Sequence, residues 1–151
     1  MAKYSDGMTI RGRVKLELFD KDGNLKDVRE ILNTITEAGD AHVADQLSAS
    51  PDENAMSHMA IGTGTPTSTA LGNEVHRNAL TSRNQGSGAD DNDVIYVGDF
   101  GAGEGTGAIT EAGIFNSNSG GTMLASASFP TINKGDNDTL TITWTITYGS
   151  S

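Results

Sequence analysis

Asp20, Asp22 and Asn24 occupy alternate positions of the run DKDGN, which is how a helix–loop–helix calcium site begins. Such a loop closes on a bidentate glutamate at its twelfth position, and counting from Asp20 that position holds Ile31. The flanking residues alternate in the manner of strands, so DKDGN reads as the tight reversal of a hairpin. Gly101, Gly103, Gly105 and Gly107 form a second suggestive run. Loops that cradle phosphate lead into a helix N-terminus or carry a lysine. Here the continuation is strand-like and the nearby charges are Asp99 and Glu104, so the run reads as a flexible connection between sheets. Gly62 and Gly64 carry no stronger signal.

His42, His58 and His76 could in principle meet around zinc, but no ligand spacing links them and they read as unrelated side chains. The carboxylates Asp90, Asp91, Asp93, Asp99, Glu104 and Glu111 could do glycosidic acid–base work only across a cleft lined for sugar. Tyr96, Phe100, Phe115, Phe129, Trp144 and Tyr148 stand mostly in core register, so the acidic groups read as solvated turns. There is no GxSxG elbow and no HExxH pair. The expectation is a protein that is not an enzyme, with no catalytic, cofactor or metal residues.

The elements that hold these residues announce themselves most clearly near the end of the chain. From Thr139 to Tyr148 the run TLTITWTITY puts Leu140, Ile142, Trp144, Ile146 and Tyr148 on one face of a strand and a threonine row on the other. The threonine row faces water or another protein; an ice-binding face would need several such rows, and the other expected strands do not repeat TxT. Residues 8–33 read as a long hairpin, and Thr36 caps an alanine-rich helix near 36–48 whose apolar stripe is Ala38, Ala41, Val43, Ala44 and Leu47. Further strands are expected at 56–62, 77–84, 94–100, 108–116 and 122–130, while 70–78 is left open between a helical turn and an extended lead-in. About eight strands separated by turns predict a mainly-β, β-sandwich or jelly-roll-like domain over 8–149, with a flexible N-terminal arm at 1–7.

Composition narrows the partners. The chain has 151 residues, with 35% hydrophobic and 5% aromatic content, enough for one domain with a lean core. A net charge of -10 argues against nucleic acid or an anionic membrane as direct partners. The absence of cysteine excludes disulfides and thiolate chemistry and favours folding in a reducing cytoplasm. No signal-peptide core or membrane-length apolar run is visible.

Three stretches, MAIGTGTPTSTALGNE at 59–74, ITEAGIFN at 109–116 and GGTMLASASFPTINKGDNDTLTITWTITY at 120–148, resemble a group of small tailed-bacteriophage virion proteins. That resemblance implies a structural role in the particle. Its leading form is a capsid decoration (cement) protein on the outer surface of the head, made in the host bacterial cytoplasm, trimeric, and partnered by the major capsid protein. The alternative is a tail-fibre or baseplate-associated structural or adhesion module. A third form, a carbohydrate-binding β-sandwich, needs an aromatic-lined groove. Interface candidates are the arm, with Ala2, Lys3 and Tyr4, then Arg11 and Arg13 on the first strand, Thr65 and Pro66 in the small-residue loop, and Glu104 in the glycine run.

Overall fold

DKDGN closes a hairpin between β1 (Met8–Phe19) and β2 (Leu25–Leu32), as its residues predict. Asp20 builds the turn. Its Oδ1 accepts the backbone N–H groups of Asp22 and Asn24, both at 2.9 Å, and Gly23 takes φ +82°. The leading carboxylate of the calcium-like run is therefore engaged by its own backbone. The computed structural model describes residues 8–150, with Met8 and Ser150 described by backbone alone; the expected arm lies outside the described residues.

After β3 (Thr34–Ile35), Thr36 caps α1 (Glu37–Leu47) by accepting the Gly39 N–H at 2.8 Å. The helix is where the sequence places it, but its buried face is not the alanine stripe. Gly39 and His42 are the buried residues, while Ala41, Ala44 and Leu47 are exposed, Leu47 to 78%. The cause is a close approach: a Cβ on Gly39 would fall on the carbonyl oxygen of Leu124. The helix thus rests its smallest residue on a strand backbone, packs Val43 against the core edge and leaves Leu47 outside.

The remaining strands are β4 (His58–Gly62), β5 (Glu74–Ala79), β6 (Ser82–Gln85), β7 (Asp93–Phe100), β8 (Gly107–Phe115), β9 (Met123–Lys134) and β10 (Thr139–Ser150). The open segment at 70–78 proves extended in its second half, and the strand expected at 77–84 is split between β5 and β6, which join different sheets. The result is a β-sandwich of two five-stranded sheets, in the orders β2-β1-β10-β7-β6 and β3-β9-β8-β4-β5, with every pairing antiparallel.

β10 lies at the centre of the first sheet. Leu18, Leu16 and Val14 of β1 stand opposite Leu140, Ile142 and Trp144, all turned inward. Met59, Ile61, Ile109, Ala112, Ile114, Leu124, Ala125 and Ile132 of the second sheet complete the core. Tyr96, Phe100, Phe129 and Trp144 are buried in that same core, so most of the chain's aromatic area is inside.

Candidate interaction surface

The outward faces of the two sheets differ. On the second sheet, the loop between β4 and β5 folds back over the strands. Leu71 lands on Ala60, Phe115 and Met123 to form a small second core outside the sheet. Glu111 of β8 holds the loop there: Oε2 accepts the N–H of Gly64 and of Asn73, each at 2.8 Å, and Oε1 accepts that of Gly72 at 2.7 Å. A buried carboxylate is tolerated because charge-assisted hydrogen bonds replace its hydration. Thr110 adds a bond from its hydroxyl to the Gly64 carbonyl at 2.7 Å.

This latch explains the glycines of the GTG and LGN runs. A Cβ on Gly62 would fall on Glu111 Oε2, and one on Gly72 would fall on the Thr65 carbonyl oxygen. Glu111 is 0% exposed and Asp93 is buried too, which corrects the reading of these two carboxylates as solvated turns. The sequence shows only a lone charge in the otherwise uncharged run AITEAGIF, without the loop that makes it a buried group.

Arg77 of β5 closes the rest of this face. Its guanidinium lies 3.8 Å from the centre of the Phe115 ring, and it donates to the carbonyls of Ser117 and Gly120, each at 2.9 Å. Glu74 completes the arrangement through Nη2–Oε1 at 2.6 Å.

The outward face of the first sheet has no such cover among the described residues. By register, one cross-sheet row runs Leu32, Arg13, Thr145, Ile95, Asn84, and the next runs Glu30, Lys15, Thr143, Val97, Ser82. Leu32 is 84% exposed and Val28, on the same strand face, 48%. The threonine row is less open than the sequence suggests. Thr141 and Thr147 donate to Asp99 and Asp93 of β7 at 2.7 and 2.5 Å, so the row is laced to its neighbour by carboxylates.

The interface candidates fall into two groups. Arg11 and Arg13 line a groove with Leu32 on one side, and Thr65 and Pro66 line another with Leu32 on the other. These four are thereby brought together around the most exposed apolar side chain described. Glu104 sits apart, in the loop between β7 and β8. Its Oε1 accepts the Gly101 N–H at 2.7 Å, and its Oε2 meets Asn78 Nδ2 and His76 Nε2, each at 3.2 Å. The Gly101 N–H, ahead of the other partners, holds the Glu104 carboxyl below the usual glutamate range. Buried Lys134 donates to the Gly101 carbonyl at 2.7 Å, so the glycine run is tied down through both backbone groups of Gly101. Ala2, Lys3 and Tyr4 lie outside the described residues.

The histidines stand on separate elements with separate neighbours: His42 with Glu53 at 3.3 Å, His58 with Ser57 at 2.7 Å, and His76 with Asn78 at 2.9 Å. The buried aromatics cannot serve as the sugar platform that the carbohydrate-binding reading requires.

From Val28 in β2 to Tyr148 in β10, residues 28–148, the chain matches the family model described as phage tail-collar fibre protein, N-terminal. The chain belongs to that family. No curated protein and no solved structure matches it. A tail-collar fibre domain is a phage virion structural protein, as the resemblance implies, and the match extends that resemblance back through the helix into β2. The family name corrects its address: it speaks for a tail fibre, the alternative form, over capsid decoration. The latched loop and the TEAGIF strand that holds it both lie within the matched tail-collar fibre region.

Proposed function

We propose that this domain is a structural module of a phage tail fibre that works by binding a neighbouring virion protein, without catalysis. The observation that carries this reading is the match to the tail-collar fibre family over residues 28–148. The geometry supports the binding part. The second sheet is partly covered by its own loop, while the first offers a broad pleated face of threonine, Ile95 and Val97, edged by Leu32, Val28, Arg11, Arg13 and Lys15. Arg11, Arg13 and Lys15 share this face with Glu17, Glu30, Asp93 and Asp99, so a partner would meet charges of both signs there. Carboxylates that might have done chemistry are engaged in holding backbone, as at Glu111, Asp20 and Glu104.

Cryo-electron microscopy of intact particles tests this directly. Density for the domain at the tail, with a stoichiometry of a few copies per particle, is the expected result. Density on the head lattice at a copy number near that of the major capsid protein would overturn it in favour of capsid decoration.

A further inference from the structure

β2 is the longest edge strand of either sheet, and among the described residues no strand pairs with its far side. Its partner β1 fixes which groups point outward. The Asn33 N–H donates to the Gly12 carbonyl, so by alternation residues 27, 29, 31 and 33 turn their backbone groups toward β1. Val28, Glu30 and Leu32 therefore present theirs to the open edge.

The sequence of this edge, KDVRE at 26–30, is self-complementary about Val28. In an antiparallel pair of two such strands centred there, Lys26 faces Glu30 of the other copy and Asp27 faces Arg29. Each opposition recurs on the far side of the two-fold axis. Asp27 and Arg29, opposite the inward Leu18 and Leu16 of β1, share a sheet face, as a continuous pleat requires. Centring the pair on Asp27 would set Lys26 against Val28 and Leu25 against Arg29. Centring it on Arg29 would set Val28 against Glu30 and Asp27 against Ile31. Only the Val28 register pairs opposite charges throughout.

We propose that a second copy of this chain adds to the β2 edge, antiparallel and two-fold symmetric about Val28, merging the two Leu32-edged sheets into one. Such an isologous contact needs a surface that complements itself, which is the property the strand shows. The side chains are placed to serve it. Asp27 and Arg29 form an ion pair at 3.1 Å within one copy, with 33% and 27% of their side chains exposed. Across the axis the two pairs would close a ring of four alternating charges. Lys26, bonded to Asp138 at 2.8 Å, is still 44% exposed and can take Glu30 of the second copy as well. A bulge at Lys26, where the β1 register skips it, marks the end of the regular ladder. The proposal holds wherever in the virion the domain resides.

Sedimentation equilibrium of the full chain over a wide concentration range tests it. The wild type should pass from one chain mass to two as concentration rises. Val28→Pro removes an N–H that faces the partner and not β1, so it should abolish association while the far-UV spectrum is retained. Glu30→Lys and Lys26→Glu should each be monomeric alone, because each sets like charges opposite one another twice. Mixed in equal amounts they restore every opposite-charge pair and should regain the doubled mass. A wild type that stays monomeric throughout, an association indifferent to Glu30→Lys and Val28→Pro, or a folded mixture that fails to associate overturns the proposal.

Discussion

Glu111 Oε2, buried in the second sheet, and the backbone nitrogen of Gly64 in the loop above it, 47 positions apart in the chain, meet at 2.8 Å. The bond pins the loop over part of the second sheet's outward face, around Ala60, Glu111 and Phe115, whereas the first sheet has no such loop among the described residues. One buried carboxylate thus sets how far that loop can lift from the sheet.

Removing that carboxylate should release the loop. Glu111→Ala leaves the N–H groups of Gly64, Gly72 and Asn73 without their acceptor, and should lower unfolding stability by about 3–5 kcal/mol in urea titrations. Glu111→Gln keeps one oxygen acceptor but turns an amide donor toward the remaining N–H groups, and should fall between wild type and alanine. Proteolysis within residues 63–73 should rise in the same order. Equal stability of all three proteins would mean that the loop is held by Leu71 alone.

The central strand makes a sharper statement about packing than about polarity. Trp144 is fully buried, and its indole N–H has no partner among the described residues. Trp144→Phe should therefore lose volume without breaking a hydrogen bond, costing about 1–2 kcal/mol, whereas Trp144→Ala should cost about 3–5 kcal/mol. Thr143→Val, on the opposite face of the same strand, should change stability by less than about 0.5 kcal/mol. Parallel denaturation curves separate the three.

Why some of this was legible and some was not follows from range. Alternation at Thr139–Tyr148, the reversal at Asp20–Asn24 and the cap at Thr36 are local signals, and each gave its element. The burial of α1 through Gly39 was hidden, because it depends on where the Leu124 carbonyl comes to lie, 85 residues further on in the chain (124 − 39). Glu111 was hidden for the same reason. In a one-dimensional pattern it is a charge between Thr110 and Ala112, and only the returning loop supplies the donors that make it a buried group. Arg11, Arg13, Thr65 and Pro66 were chosen separately for exposure. Their convergence on Leu32 comes from the sheet edges, which residue types do not encode.

Two glycines of left-handed backbone should respond differently to a methyl group. Gly105 has φ +72°, and a Cβ there would fall on the Ile61 Cδ1 atom; Gly120 has φ +59° with open space around it. Gly120→Ala should cost the backbone strain alone, about 1 kcal/mol. Gly105→Ala adds overpacking of a buried side chain and should cost about 2–4 kcal/mol. Thermal melts of the two variants should therefore rank Gly105→Ala well below Gly120→Ala.

Acid should weaken the fold through a small set of named carboxylates. Lys26 holds Asp138 below the usual aspartate range, the Asn24 N–H does the same for Asp20, the Asp52 N–H for Asp45, and the Gly101 N–H for Glu104. A group whose folded pKa lies below its unfolded value binds fewer protons in the folded chain. Its contribution is complete above the unfolded value, 3.8 for aspartate and 4.5 for glutamate, and is lost as pH falls through the folded one. The melting temperature should then be level from neutral pH down to about 5 and decline below it. Because Lys26 is the first cause for Asp138, Lys26→Met should shallow the acid limb as Asp138→Asn does, and the double variant should add little to either. An acid limb that keeps its full slope in both single variants would place the sensitivity on the other three carboxylates.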